Sequence, residues 1–380
     1  MDDLGPFRPK LRMFMSVDIV GSTVFKQSAK NQAATDTKVP AEAWFSPIVR
    51  FYQKMEAFLL EEWEDYKKTS KEYHLPPGPD PEIWKGVGDE LIYQKELTDH
   101  RQAFGCMHCW INAVNHYRKE LQQQSPSLDL KASAWLAGFP VNNAEIIIRR
   151  KGSAPANNGL TNEQPVDDFV YENAMLLEKY YSDSDRHDLI QDFVGPNIDA
   201  GFRVSHLASP RKLVMTLDLA LLVATGDRTK PHHFKYDGFV YRYDGRVSLK
   251  GVLGGAPYPV FWIDMQAEEP EVIAEEKVTS APRAEAKDLE QFAEAFIVKN
   301  SRLIDRPYII SNTETVFNKM PDSHSSRQRD LAMYYQNQKA ILQEEITAAI
   351  KTDFDDDINI SHPGEDALKN FELSIHPRDN

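Results

Sequence analysis

One carboxylate stands in this chain where a carboxylate is costly. Asp18 interrupts the apolar run Met13-Phe14-Met15-Ser16-Val17-Asp18-Ile19-Val20, and a charge inside a buried strand is strongly unfavourable unless something pairs with it. A bound cation is the simplest partner. Directly afterwards, Gly21-Ser22-Thr23 forms a small-residue turn whose backbone N–H groups can approach a polyphosphate closely. A plainer alternative is an aspartate at a strand end capping the next helix. Asp89 sits in a second stretch, Glu82-Ile83-Trp84-Lys85-Gly86-Val87-Gly88-Asp89-Glu90-Leu91-Ile92-Tyr93. That stretch folds back at 86–90 as a β-hairpin with Asp89 at its tip. The third is Asp192-Phe193-Val194-Gly195-Pro196-Asn197-Ile198-Asp199-Ala200-Gly201-Phe202-Arg203. Here Gly-Pro ends a loop and a helix begins, with Asp199 and Arg203 four apart on one face. A surface ion pair worth about 0.2–0.5 kcal/mol accounts for that spacing equally well.

Elements must hold these residues in place. A strand is expected over 11–21, a loop over 26–40, and a long helix over 41–73 with Trp44, Ile48, Phe51, Met55, Phe58, Leu59 and Trp63 on its apolar face. Pro47 lies in its first turns, and the proline-rich 76–81 stops it. After the hairpin come a helix over 99–124, a strand over 128–139, a Gly/Asn-rich loop at 152–159 and a short helix over 170–181. A strand over 212–224 follows, then a hairpin of 239–243 and 246–250 turning at Asp244-Gly245, and a closing β-segment over 257–263. Alternating β and α segments of this kind predict an α+β or α/β sandwich. At 266–277 the composition turns acidic, which sets a domain boundary there. Beyond it, helices over 285–299 and 324–350 precede an acidic tail.

The 380 residues suffice for two domains, and 41% hydrophobic content allows a sizeable core. A net charge of -14 with pI near 5.3 argues against sequence-independent nucleic-acid binding. No apolar run approaches the ~18 residues of a membrane span. Two cysteines and no export signal lead to a cytoplasmic expectation, which leaves the Asn359-Ile360-Ser361 sequon uninformative.

Together the three stretches resemble the class III nucleotidyl cyclases. Asp18-Ile19-Val20-Gly21-Ser22-Thr23 matches that family's opening metal strand. Lys85-Gly86-Val87-Gly88-Asp89 matches the hairpin carrying its second metal aspartate. Asp192, Gly195, Asp199 and Arg203 approximate its dimer-contributed helix, with Asp199 where the family has asparagine, and Leu249-Lys250-Gly251 matches a late phosphate-binding segment. The match covers about 11–265, leaving 266–380 as an acidic linker, helical region and tail that could regulate the enzyme. The resemblance implies a ferredoxin-like palm with a C-terminal helical extension. It also implies two Mg²⁺ or Mn²⁺ ions on Asp18, Asp89 and the Ile19 carbonyl, as oxygen-only ligands suit.

The same resemblance makes Arg203 and Asp199 catalytic. Gly21, Ser22, Thr23 and Lys250 fall to the phosphates, and Lys85 and Asp192 to the base. Because one chain holds both halves of a site shared head to tail, it implies a homodimer. The Lys85/Asp192 pair taken literally is the adenine type, which would make cyclic AMP. The wording around Asp199 and the closing Leu-Lys-Gly-Val-x-Gly-Gly-x-x-Tyr-Pro-x-x-Trp are more similar to the pyrimidine cyclases of bacterial Pycsar antiphage systems. Those make cyclic UMP or cyclic CMP as an alarm for a separate effector, and UTP is favoured here. Arg50, on the first long helix, could reach a pyrimidine edge, although a solvated arginine is the plainer reading. An inactive nucleotide sensor and an interaction protein acting through the C-terminal helices are the remaining classes.

Other constellations carry less. Cys106-Met107-His108-Cys109 has CxxC spacing but lies mid-helix without a second pair, as buried small residues do. His232-His233 lacks acidic partners nearby. Gly88-Asp89-Glu90 echoes a diguanylate cyclase signature, but the first strand lacks that family's pattern.

Overall fold

The computed structural model describes residues 4–29, 32, 42–149, 166–182, 187–279, 283–312 and 314–356. The 152–159 loop, most of the 26–40 loop, the sequon and the tail beyond 356 lie outside them. The chain divides into two compact units: 9–143 with 195–320, and 1–8 with 144–194 and 321–380.

The larger unit is built on a seven-stranded sheet. Its strands are β1 (Lys10–Val20), β2 (Glu82–Val87), β3 (Glu90–Leu97), β4 (Asp129–Phe139), β7 (Lys212–Met215), β8 (Tyr241–Val247) and β9 (Tyr258–Asp264), in the order β2-β3-β1-β4-β7-β9-β8. The first four strands in this order are antiparallel to one another. With α2 (Phe45–Glu72) between β1 and β2, and α3 (Arg101–Gln124) between β3 and β4, they form a ferredoxin-like βαββαβ palm. β7 adds parallel to β4, and β9 and β8 extend the sheet. The α+β class expected from the sequence is what the chain adopts.

Alternation along β1 divides the two faces of the sheet. Met13, Met15 and Val17 are fully buried in the main core with Phe51, Met55 and Trp63 of α2, and with Cys106, Cys109 and Trp110 of α3. Phe14, Ser16 and Asp18 face the other way, where Trp135 of β4 stacks on Phe14 at 5.6 Å. That face is covered by α5 (Pro196–Ser205), whose Phe202 meets Trp135 at 5.3 Å and Trp84 at 6.2 Å. The short α1 (Ser22–Ser28) follows β1 directly.

Two sequence expectations are corrected. The apolar run at 212–224 is not one strand: β7 stops at Met215, and α6 (Leu217–Thr229) follows. Leu217 through Ala224 are buried all round, between α3, α8 (Ala286–Lys299) and the sheet, and such a helix has no polar stripe to reveal its period. The hairpin expected to turn at Asp244-Gly245 is instead the single strand β8. A bulge interrupts its pairing with β9 between Tyr243 and Arg246, and Gly245 takes a φ of +86° there.

The acidic stretch expected to divide the chain is α7 (Pro270–Thr279), held on the larger unit by ion pairs. Arg211 bonds Asp264 at 3.0 Å and Glu275 at 2.6 Å, and Arg242 bonds Asp264 at 3.2 Å and also pairs with Glu276.

The smaller unit contains the antiparallel pair β5 (Ala144–Arg149) and β6 (Leu189–Val194), with α4 (Val166–Ser182) and α9 (Asp322–Asp356). Ile147, Leu177 and Leu189 pack together, and Phe7, Ala174, Ala332 and Tyr335 form a second cluster. Lys339 reaches Glu178 at 2.9 Å. Among the described residues, no helix is long and apolar enough to cross a membrane.

Candidate active site

Register brings the two carboxylates together. β1 pairs with β3 so that Asp18 lies opposite Glu90, which puts Asp89, at the hairpin turn, beside the end of β1. The Ile19 N–H donates to the Asp89 carbonyl at 3.2 Å, tying the hairpin tip to that end. Gly21 takes a φ of +85° and turns the chain from β1 into α1, and a Cβ there would come within 2.9 Å of the Ser127 carbonyl oxygen. Asp18, Ile19, Gly21, Ser22, Thr23 and Asp89 therefore line one cleft of about 650 Å³, joined by Lys131 and by 208–210.

Burial and two lysines govern the electrostatics of the two carboxylates. Asp18 has its proton affinity raised above the ordinary carboxylate value, chiefly by burial. The Lys131 ammonium, 2.9 Å away, opposes that shift, and the Asp89 charge adds to it. Asp89 accepts a hydrogen bond from the Ser22 hydroxyl and pairs with Lys26 at 3.5 Å. Ser22 is thus engaged with the second carboxylate, although the sequence assigns it to the phosphate turn. Each carboxylate pairs with a lysine ammonium. Two carboxylates and the Ile19 backbone oxygen in one cleft make an all-oxygen donor set that fits Mg²⁺ or Mn²⁺. Among the described residues, no group of three or more His, Cys, Asp or Glu could hold a metal by itself, so carbonyls, water or substrate oxygens must complete any coordination shell.

A smaller cavity of about 100 Å³ adjoins this cleft and shares Asp18 and Lys131 with it. It is lined also by Ser16, Glu90, Ser133, Ser205 and His206. Ser16 donates to Glu90, and the buried Ser133 hydroxyl has no hydrogen-bond partner among the described residues.

The remaining sequence candidates lie elsewhere. Lys85 is on β2 with its ammonium 3.8 Å from the Trp84 ring centre. A bulge between Ile83 and Lys85 alters the β2–β3 pairing there. Asp199 and Arg203 are both exposed on α5, and no ion pair joins them. Lys250 is exposed in the turn after β8. Arg50 bonds Gln124 at the far end of α3. Asp192 belongs to the smaller unit, on β6 opposite Ile146, and accepts from the Phe193 N–H at 3.0 Å.

Sequence reasoning missed Lys131 and Lys26. Lys131 faces Asp18 only because β4 pairs with β1 in the register Asp18↔Lys131, which no local pattern encodes.

Neither a family model nor a curated protein sequence matches the chain. Solved structures similar to it include the adenylyl cyclase CyaB from P. aeruginosa, at 12% identity and a TM-score of 0.39 over 67% of this chain and 94% of that one. The guanylate cyclase domain of RhGC from Catenaria anguillulae, in complex with GTP, aligns at 10% identity and a TM-score of 0.35 over 67% and 97%. A non-canonical dimeric guanylyl cyclase domain of the RhoGC fusion protein from Blastocladiella emersonii aligns at 9% and 0.34 over 67% and 97%.

Proposed function

We propose that the chain is a nucleotidyl cyclase that converts a pyrimidine nucleoside triphosphate, UTP before CTP, to the 3′,5′-cyclic monophosphate and pyrophosphate. One observation supports the cyclase part of this reading: Asp18, at the end of a strand, and Asp89, in a hairpin turn, share a cleft with a glycine turn and Lys131. In the reaction the ribose 3′-oxygen bonds to the α-phosphorus, the bond to the pyrophosphate oxygen breaks, and the hydroxyl proton is lost.

Asp18, Asp89 and the Ile19 carbonyl would hold two divalent ions, which supply charge neutralisation at the triphosphate and acidify the 3′-hydroxyl. Ser22 keeps the Asp89 carboxylate oriented through its hydroxyl. Lys131, which pairs with Asp18 in the absence of a cation, and Lys250 would serve the triphosphate as point charges. Arg203, from a second copy of the chain, neutralises charge that builds on the transferred phosphoryl group. Asp199, one turn earlier on α5, orients the ribose. Lys85 and Asp192 hold the base, and Arg50 lies outside this set because its guanidinium is engaged by Gln124. The working form is then a homodimer with two equivalent sites. In the pyrimidine reading, its product alerts a separate effector during phage infection, and 266–380 is the region available for regulation.

The test is to incubate purified protein with each of the four NTPs and Mn²⁺ and resolve the products by mass. Cyclic UMP as the main product is expected. Cyclic AMP alone would overturn the pyrimidine reading, and no cyclic product from any NTP would remove the enzymatic one.

A further inference from the structure

The hairpin tip that carries Asp89 is a two-residue turn between β2 and β3. Gly88, the residue before Asp89, takes a φ of +70°, and nothing lies within 4 Å of where its Cβ would be. Besides Ser22 and Lys26 of α1, which reach the Asp89 carboxylate, a side chain of α2 holds the backbone of this turn. The Tyr52 hydroxyl, on α2, donates to the Gly88 carbonyl at 2.7 Å. Its ring lies so close to Gly86 that a Cβ there would come within 2.8 Å of Cε1 and 2.9 Å of the hydroxyl oxygen. Tyr52 is itself anchored, because the next residue toward the N-terminus, Phe51, is fully buried in the core and meets it edge to face at 5.8 Å.

We propose that Tyr52 is a positioning residue that fixes the Asp89 carboxylate at the separation from Asp18 required by two divalent ions. This rests on the two-cation reading of the cleft. Tyr52 does not line the cleft that holds Asp18 and Asp89. It acts through the Gly88 carbonyl and the glycine that admits its ring. Gly86 is required by this packing, since any larger residue meets the tyrosine head on. The hairpin is thus held at both ends of its turn, by the Ile19 N–H on the Asp89 carbonyl and by the Tyr52 hydroxyl on the Gly88 carbonyl.

Removing one hydrogen bond of this kind is worth about a fivefold change in an equilibrium constant. Tyr52→Phe should therefore weaken Mn²⁺ binding about fivefold, read directly from the free-ion electron paramagnetic resonance signal with no nucleotide present. Its melting temperature should stay close to wild type, and its nucleotide KM at saturating Mn²⁺ should not change. Gly86→Ala should weaken Mn²⁺ binding further in the Tyr52 background and have little effect in a Tyr52→Ala background, where the colliding ring is gone. Full-strength Mn²⁺ binding in both Tyr52→Phe and Gly86→Ala would reduce Tyr52 to a packing residue and overturn the proposal. An equal effect of Gly86→Ala in the two backgrounds would also overturn it. A wild-type protein that takes up no Mn²⁺ would instead remove the two-cation reading beneath it.

Discussion

Asp18 takes up a proton more readily than an exposed aspartate because burial disfavours its charge, and the nearby Asp89 adds to that cost. With its proton affinity raised in the fold, Asp18 stays protonated at pH values where the unfolded chain has already lost that proton. Its cost to stability is absent at low pH and fully present above the folded pKa. A divalent ion removes that cost. Mn²⁺ should therefore raise the melting temperature at pH 7–8, the gain should shrink as acid protonates the carboxylates, and Asp18→Asn should show none. Differential scanning fluorimetry across pH reads all three. Lys131 gives a second prediction with opposite signs. If its ammonium competes with metal for Asp18 at 2.9 Å, Lys131→Met should tighten Mn²⁺ binding several-fold without nucleotide. The same variant should lower cyclisation by about tenfold or more, the loss expected when a phosphate-binding charge is removed. Weaker metal binding in that variant would mean the lysine only shapes the cleft.

α5 lies close against the sheet because Gly201 lets it. A Cβ at that position would fall 2.3 Å from the Trp135 ring, and Trp135 cannot retreat because it is stacked on Phe14. Gly201→Ala should cost about 1–3 kcal/mol, the usual penalty of overpacking, and should move Arg203 with the helix. Urea unfolding measures the first effect, and loss of turnover at unchanged Mn²⁺ affinity measures the second. The first turn of α6 holds Asp218, whose carboxyl burial pushes up to about 6, with the Thr216 hydroxyl and the Leu219 N–H partly offsetting the shift. Its ordinary value is 3.8, so the folded protein binds the extra proton between the two. Stability should fall as pH rises from about 4 through 6, by an amount on the order of 2 kcal/mol. Asp218→Asn should flatten that slope in chemical denaturation measured at each pH.

The whole molecule is two units whose chain segments interleave: 144–194 is inserted into the larger unit, and the chain returns to the smaller one only at 321. Asp18 and Arg203 both belong to the larger unit, but Arg203 is exposed and does not line the Asp18 cleft. On the homodimer reading, each site draws its aspartates from one copy and its arginine from the other. Arg203→Ala and Asp18→Ala proteins should each be inactive alone. Mixed in equal amounts under subunit exchange, half the dimers pair the two variants, and each of these has one intact site of two. About a quarter of wild-type activity should return, and no recovery after proven exchange would sink the shared site.

How much of this was readable beforehand depended on the range of the interaction. Strand β1, the hairpin bearing Asp89 and the long helices α2 and α3 could be read because alternation, glycine turns and a 3.6-residue period are local properties of the chain. The residue types at 18, 21–23 and 89 also stated what chemistry they suit. Where an element is buried on every side, as α6 is, the pattern that separates helix from strand vanishes, and the run 212–224 reads as one strand. A bulge such as that at Asp244-Gly245 looks locally like a turn, and only pairing with β9 keeps the strand continuous. The acidic stretch at 266–277 reads as a linker until Arg211 and Arg242, distant in sequence, neutralise it. The chain by itself determined which groups are available. Only the order and register of the strands decided that Lys131 meets Asp18 and Lys26 meets Asp89, because those meetings depend on which strand lies beside which, and no short stretch of sequence records that.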